Sequence, residues 1–508
     1  MSFTVLPFSR DSLYSGLENR FATAEYVAAR SSDFRQAAYL AGYLERLGAK
    51  TILVEHDYVD RDYLTDFASY YVTCFEKYDS RCNRLHVFNS TFDAASFERW
   101  IRRHSDSDDL ALQKAYLGFI VARPLPQAIV GRTALKTYEP DGAIDRRYRT
   151  LRTYEVNLFG LELRVDSLAY QQQDTVVAAC ATVALWSAFH KTSELFHHPL
   201  LRPSEITADA NTVQGGTRAM PSSGLRVEQV CAAIRRAGLE PLAQSVQKRT
   251  LLMSTIHGYL EYGIPVILLG GVEEFGYSGH AITVTGYALG AVPAPIGEET
   301  LADVTSIGRR IEKLYVHDDN IGPFARSVPV AVPVNAPDYV RDYAPFALQA
   351  QDASGVAQAT FVPSVFVVPV YPKIRITYSE AHVWAGNLRQ MFGFAGVDAD
   401  GFEWSIGLTS TQHYKTLLRD RAAALGEDAT GLTRGQPRFM WRGVVKRGAV
   451  SICEFLIDAT GVSRSCPLFS LVWHDAPTEA IFKSGVRKFS KLAIERNYGK
   501  PFADLVYQ

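Results

Sequence analysis

The sequence predicts an α+β protein of three domains, at residues 1–148, 149–373 and 374–508. The chain has 508 residues, which is more than one domain usually contains. Segments with the apolar spacing of helices alternate with short segments typical of strands. Towards the C-terminus several strand candidates follow one another, which indicates a largely antiparallel sheet.

The composition is ordinary for a globular protein, and several other classes of protein are not indicated. Hydrophobic residues make up 47% and charged residues 21%, and the net charge of −1 does not indicate nucleic acid or an acidic membrane as a partner. No apolar run is long enough to span a bilayer, and the N-terminus lacks the pattern of a secretory signal. The six cysteines are scattered without a C-x-x-C pair. We therefore expect a reduced, cytoplasmic protein with no metal and no cofactor.

In the N-terminal domain, residue patterns typical of helices alternate with patterns typical of strands. Helices are expected over residues 31–47, 60–75 and 92–103, and strands over 51–55, 84–88 and 115–126. Strict alternation favours a small α/β domain, with α+β as the alternative. The core face of the second helix is expected to be aromatic and to comprise Tyr63, Phe67, Tyr70, Tyr71 and Phe75.

The chemistry is expected at Cys180. Three glutamines at residues 171–173 and an apolar step precede it, and the residues after it have helical spacing. A cysteine at a helix N-terminus lies at the positive end of the helix dipole, which favours the nucleophilic thiolate. On this stretch alone a buried structural cysteine is the simpler interpretation, because free cysteine packs as a small hydrophobic residue.

Residues further along the chain favour a catalytic cysteine. His280 lies at the start of a predicted strand, and Asp318 follows another strand. A thiol nucleophile needs a base, and the base needs a third group that orients it. Cys180, His280 and Asp318 supply these three roles, each at the end of a predicted element. A glutamine lies shortly upstream of the cysteine, where its amide could donate to an oxyanion.

The order of these motifs resembles that of papain-like cysteine peptidases, and most of all their bacterial branch, the double-glycine leader peptidases that process bacteriocins. The resemblance covers roughly residues 154–371. It implies a papain-like core in which Cys180 is the nucleophile, His280 the general base and Asp318 the orienting acid. It also implies an oxyanion glutamine at Gln173 or Gln172. The segments that carry it are QQQDTVVAAC, SSGLRVEQVCAAIRRAGL, YLEYGIPVILLG, GHAITVTGY and LYVHDDNIG.

The chain departs from the family pattern at four places. Ala181 follows the cysteine where the family has glycine, and Asp319 follows Asp318 where it has proline. Gln173 is one residue further from the cysteine than usual. Residues 290–310 form an apparent insertion, which is the predicted gate over the cleft and implies a narrow substrate range.

The C-terminal domain is expected to contain a helix over residues 380–392 and strands over 402–408, 439–445, 449–458 and 467–474, without a catalytic group of its own. The expected activity is hydrolysis of a peptide or isopeptide bond in a specific protein or peptide substrate. Two alternatives stay open: transfer of the acyl group to an amine, and a papain-like binding module without activity. The oligomeric state does not follow from the sequence.

Overall fold

The computed structural model describes residues 2–18, 35–103, 106–125, 128–139, 144–174, 176–213, 224–291, 304–352, 354–426, 430–462 and 466–507. The chain forms two compact units. Unit 1 comprises Met1–Val246, Pro265–Ala288 and Lys313–Pro369, and unit 2 comprises Gln247–Ile264, Leu289–Glu312 and Val370–Gln508. The three-domain division stays a prediction: its first boundary lies inside unit 1, and its second lies near residue 370, where the chain passes into unit 2.

Unit 1 contains a five-stranded sheet in the order β1-β2-β3-β4-β5, and every neighbouring pair is antiparallel. The prediction of an α/β N-terminal domain is therefore wrong, because such a domain has a mostly parallel sheet, and α+β describes it. The elements are β1 (Phe3–Pro7), α1 (Arg10–Leu17), α2 (Arg35–Arg46), β2 (Thr51–Tyr58), α3 (Arg61–Ser69), β3 (Cys82–Phe88), α4 (Ala94–Arg102), α5 (Asp106–Ala115), β4 (Tyr116–Ala122) and β5 (Val130–Leu135).

One predicted helix of this region is too long. Helix α3 ends at Ser69, because the backbone of Tyr70 leaves helical geometry with φ −140° and ψ −58°. Tyr63 and Tyr71 are buried as expected, but Phe75 is fully exposed. The predicted aromatic face is therefore correct only as far as the helix and the short 3-10 turn after it extend.

The second feature of unit 1 is a closed six-stranded barrel. Its strands follow the order β10-β11-β12-β13-β14-β15, and β10 pairs with β15 as well as with β11. Strand β9 extends the sheet beyond β15, and β6 pairs with β11. The strands are β6 (Asp145–Tyr148), β9 (Glu240–Ser245), β10 (Val266–Val272), β11 (Ser278–Leu289), β12 (Ile311–Asp318), β13 (Gly322–Val330), β14 (Ala347–Gln351) and β15 (Ala357–Val370).

A hairpin and four helices complete the elements described in unit 1. The hairpin, β7 (Arg152–Leu158) and β8 (Leu161–Ser167), turns at Gly160. The helices are α6 (Cys180–Phe196), α7 (Pro203–Ala210), α8 (Val227–Arg236) and α10 (Asp338–Arg341). Helix α6 is nearly covered on all sides, because its apolar residues form one core with residues of α7, α8 and the barrel strands β10, β11 and β15.

Unit 2 contains an antiparallel sheet in the order β16-β17-β18-β19. The helix and the four strands predicted within residues 380–474 are present, whereas α12, which lies between two of these strands, was not predicted. The elements are α9 (Arg249–Leu260), α11 (Tyr378–Phe394), β16 (Phe402–Ser410), α12 (Thr411–Leu425), β17 (Phe439–Arg447), β18 (Val450–Asp458), β19 (Leu468–Trp473), α13 (Ala476–Val486), α14 (Lys491–Tyr498) and α15 (Lys500–Tyr507). Among the described residues, no helix has both the length and the apolar character that crossing a membrane would require.

Candidate active site

Cys180 is the first residue of α6. The residue before it, Ala179, has extended backbone geometry and no side chain that could cap the helix. The N–H groups of the first turn therefore point out of the helix without a side-chain acceptor from the N-cap. The helix behind Cys180 is buried, whereas Cys180 itself is half-buried. The cysteine thus combines a rigid support, the positive end of a helix dipole and partial access from outside.

The loop that leads into Cys180 is held by Asp174, six residues before the cysteine. One oxygen, Oδ1, accepts hydrogen bonds from the backbone N–H groups of Val176, Val177 and Ala178 at 3.0, 2.8 and 2.7 Å. The other oxygen, Oδ2, accepts one from the hydroxyl of Tyr71 at 2.8 Å. Asp174 is buried, so its carboxylate fixes the chain just before the helix begins. Asp174 was not among the predicted site residues, although an aspartate before a turn is a recognisable signal.

The glutamines before this loop differ in their surroundings. Gln172 is tied to β5, because its Oε1 accepts from the N–H of Val130 at 3.3 Å. Gln171 is buried, and its Nε2 has no hydrogen-bond partner among the described residues. Gln173 is half-buried, and within the described ranges its side chain makes no hydrogen bond. The oxyanion role of Gln173 or Gln172 stays a prediction.

His280 lies on β11, directly opposite Gly270 of β10. Its Nε2 is 2.9 Å from Oδ1 of Asp318, and both side chains are buried. A Cβ atom at Gly270 would lie 2.0 Å from the carbonyl oxygen of Val362 on β15. Glycine at this position therefore lets the two barrel strands approach each other beside the histidine.

Asp318 ends β12 at an irregularity in its pairing with β13. Its Oδ1 accepts from the N–H of Asn320 at 3.0 Å in addition to contacting His280. The strand before it is anchored by His317, whose Nε2 contacts the carbonyl oxygen of Leu168 and whose Nδ1 accepts from the N–H of Phe324. Burial lowers the pKa of His317 to about 3, so this second histidine stays neutral and serves as an anchor.

A second carboxyl group, that of Asp319, lies beside the first. Its Oδ1 is 3.9 Å from Nε2 of His280, and its Oδ2 is buried with no hydrogen-bond partner among the described residues. The backbone carbonyl of Asp319 accepts from Nε2 of Gln36 at 2.8 Å and from the hydroxyl of Tyr170 at 3.3 Å. Burial raises the pKa of Asp319, and the charge of Asp318 raises it further against the attraction of His280.

The charges around His280 favour its protonated form. Burial alone would lower its pKa, but the charge and the hydrogen bond of Asp318 raise it. The side chain of Cys180 and the charge of Asp319 act in the same direction, and the pKa of His280 lies well above its usual value. A charged imidazolium beside a thiol stabilises the thiolate, because the two then form an ion pair.

His280, Asp318 and Asp319 also have the donor types of a metal site. One ligand atom from each of the three lies within 4.8 Å of the others, which is close enough for one ion. Two carboxylates and an imidazole are a common donor set for divalent cations. Coordination by Nε2 would, however, take the imidazole nitrogen that now contacts Asp318.

The predicted gate at residues 290–310 is only partly within the described ranges. Residues 292–303 lie outside them. The described end belongs to unit 2, where the hydroxyls of Ser254 and Ser306 are 2.7 Å apart and Gly308 lies against the backbone of Ser254. The gating role stays a prediction.

No protein-family model matches this chain, and no curated protein matches it.

Proposed function

We propose that unit 1 carries a cysteine-dependent hydrolase of the papain-like kind that acts on a peptide or isopeptide bond. The observation that carries the proposal is the environment of His280, which contacts the Asp318 carboxylate at 2.9 Å and whose pKa the side chain of Cys180 helps to raise. In this proposal Cys180 is the nucleophile, His280 the general base and acid, and Asp318 the group that orients the imidazole.

The proposed reaction has two steps. The Cys180 thiol gives its proton to His280, and the thiolate sulfur attacks the carbonyl carbon of the scissile bond. The C–N bond breaks, the leaving amine takes the proton from His280, and an acyl group remains on sulfur as a thioester. Water then attacks the thioester with His280 as the base, which releases the carboxylic acid and restores the thiol. No oxidant or metal is required.

The position of Cys180 supports the nucleophilic role on physical grounds. The N-terminus of α6 stabilises a negative charge on sulfur and also offers N–H groups to an oxyanion. The buried carboxylates of Asp318 and Asp319 stabilise the imidazolium that forms when the thiol loses its proton. Each charge that the first step creates therefore has a fixed partner of opposite sign.

The metal-binding alternative makes a different use of His280. A cation held by His280, Asp318 and Asp319 would bind Nε2, the nitrogen whose N–H donates to Asp318 in the proposed mechanism. The two functions therefore respond oppositely to divalent cations. Under the proposal, Zn²⁺ lowers the reactivity of Cys180 and a chelator leaves it unchanged, whereas a metalloenzyme would lose its activity on chelation.

The test uses p-nitrophenyl acetate, an activated ester that acylates reactive thiols, with the full chain. We expect a burst of p-nitrophenol equal to the enzyme concentration, followed by slower turnover. Cys180→Ser abolishes the burst, whereas Cys74→Ser, a control at another half-buried cysteine, leaves it unchanged. Equal bursts from the wild type and Cys180→Ser would overturn the proposal.

The same assay assigns the acceptor of the acyl group. Turnover that is independent of added glycinamide supports hydrolysis. Turnover that rises in proportion to glycinamide, with formation of the acetyl amide, would replace hydrolysis by acyl transfer. A protein without any burst would be a binding module.

A further inference from the structure

Unit 2 contains a cavity of about 580 Å³ along β19. Its walls come from α12, residues 431–436, strands β18 and β19, and the helices α13 and α15. Pockets of this volume are within the range that binds specific ligands. No residue of the cavity belongs to unit 1, so it is a site separate from the Cys180 chemistry.

One wall of the cavity is the edge of the β16-β17-β18-β19 sheet. At the opposite edge, β16 makes a bridge to Ser306, and the N–H of Trp404 donates to the carbonyl of Thr305 at 2.8 Å. At the β19 edge, no further strand is paired within the described part of the chain. The sheet therefore has one covered edge and one edge that borders a cavity.

The backbone groups that face the cavity follow from the register of β18 and β19. The N–H of His474 donates to the carbonyl of Ile452 at 2.9 Å, and Trp473 lies opposite Cys453. In an antiparallel pair, residues alternate between hydrogen bonding to the partner strand and pointing away from it. Leu471 and Trp473 therefore direct their N–H and C=O groups away from β18, and both line the cavity.

The side chains of β19 offer apolar contacts on both faces of the sheet. Phe469 and Val472 are 37% and 41% exposed, which is high for large apolar residues on a strand. Leu471 and Trp473 line the cavity from the opposite face to Val472. An extended segment beside β19 would place alternate side chains on these two apolar surfaces.

The charged residues of the cavity have an excess of positive charge. Arg421 lines the cavity and is paired with buried Glu454, which also pairs with Arg442 outside the lining, and Lys483 is paired with Glu479 at 2.9 Å. Arg434 is exposed and has neither a hydrogen bond nor an ion pair to any described residue. The lining thus has three cationic side chains, those of Arg421, Arg434 and Lys483, for two carboxylates, and Arg434 has no acidic partner among the described residues. A ligand with carboxylate groups complements this surface.

We propose that this cavity binds an extended, acidic peptide segment of another protein, which adds to β19 as a fifth strand. Its backbone hydrogen bonds to Leu471 and Trp473, its apolar side chains contact Phe469 and Val472, and a carboxylate pairs with Arg434. A small anionic molecule would use the arginine but would make no backbone hydrogen bonds to β19, which has no further strand partner within the described residues, so a peptide fits this cavity better. The proposal does not depend on the reaction assigned to Cys180.

The test measures binding of a fluorescein-labelled peptide, Val-Glu-Val-Glu-Val-Glu, to the full chain by fluorescence anisotropy. We expect saturable binding, and at least tenfold weaker binding of Val-Lys-Val-Lys-Val-Lys. The same acidic peptide with N-methyl groups on alternate residues, made in both possible registers, tests the strand pairing. One of the two registers should lose at least tenfold in affinity, because its N–H groups can no longer donate to β19. Cys180→Ser is measured alongside, and it should bind like the wild type.

Two variants test the protein side. Arg434→Glu should weaken binding of the acidic peptide at least tenfold, whereas Arg419→Glu, at an exposed arginine of α12 outside the cavity, should not. Absence of saturable binding would overturn the proposal, as would equal affinities for the two N-methylated peptides and the parent peptide. Loss of peptide binding with an intact p-nitrophenyl acetate burst would refute this site alone and leave the proposed hydrolase in place.

Discussion

Nε2 of His280 lies 2.9 Å from Oδ1 of Asp318, inside a barrel wall where both side chains are buried. Removal of one partner of such a buried ion pair destabilises the fold strongly, because the other partner is left as an unpaired buried charge.

The first prediction concerns the reactivity of Cys180. Burial raises the pKa of the Cys82, Cys231, Cys453 and Cys466 thiols, so iodoacetamide should alkylate them slowly at neutral pH. Cys74 is half-buried and is the appropriate comparison. We expect Cys180 to react at least tenfold faster than Cys74 near pH 7, as measured by peptide mapping after brief labelling.

The control for this prediction is His280→Gln. This variant removes the imidazole that holds the thiolate, so alkylation of Cys180 should slow to about the rate of Cys74, while Cys74 itself is unaffected. Equal rates for Cys180 in the wild type and in His280→Gln would contradict the proposed pairing of thiol and imidazole.

The second prediction concerns Asp318→Asn. The pKa of His280 is raised in the folded protein, so the stability that this gives is complete below the unfolded pKa and is lost as the pH rises through the folded pKa. The variant should lose about 1.5–3 kcal/mol of the free energy of unfolding at pH 6, the usual range for hydrogen bonds to charged groups. Urea unfolding between pH 6 and pH 10 measures the difference. The difference between the wild type and the variant should shrink as His280 becomes neutral. A constant difference at every pH would contradict the pairing of charged His280 with Asp318.

The third prediction concerns the second carboxyl group. The pKa of Asp319 is raised on folding, so its contribution to stability is largest below the unfolded pKa and is lost as the pH rises through the folded pKa. Asp319→Asn cannot titrate and should therefore lose less stability than the wild type between pH 4 and pH 8. The exposed Asp342→Asn should follow the wild type. A steeper loss in Asp319→Asn would show that the carboxylate is stabilising when ionised.

The fourth prediction concerns Asp174, which does not belong to the proposed reaction. Asp174→Ala leaves three backbone N–H groups and the hydroxyl of Tyr71 without their acceptor. We expect a loss of about 2–4 kcal/mol in the free energy of unfolding, since buried donors become unsatisfied. Alkylation of Cys180 should also slow under native conditions, because the start of α6 is no longer held. Asp174→Asn keeps one acceptor oxygen, so its free energy of unfolding and its rate of Cys180 alkylation should both fall less than those of Asp174→Ala. Unchanged reactivity of Cys180 in a destabilised Asp174→Ala would show that the loop only supports the fold.

Local elements were the part of the fold that the sequence predicted well. The strands of the C-terminal sheet and the helix after Cys180 were predicted because the apolar spacing of neighbouring residues reports directly on a strand or a helix. The end of α3 was predicted wrongly, since the aromatic residues after Ser69 continue a helical spacing that the backbone does not follow. Apolar spacing indicates which residues could share one face of a helix, but it does not indicate where the backbone leaves helical geometry.

The sequence by itself determined that Cys180 begins a helix, that His280 lies on a strand and that an acidic pair follows the next strand. Only the tertiary structure decided that Asp318 contacts His280, whereas Oδ2 of Asp319 is buried without a hydrogen-bond partner among the described residues. Both residues lie at the end of β12, where its pairing with β13 is irregular. The role of Asp174 and the closure of the barrel between β10 and β15 were also settled at that level. The physical reason is the separation in sequence of the residues in contact. Apolar spacing describes only interactions between residues a few positions apart. The contacts that set the charge of His280 join residues separated by 38 or more positions, whose approach depends on the packing of the whole unit.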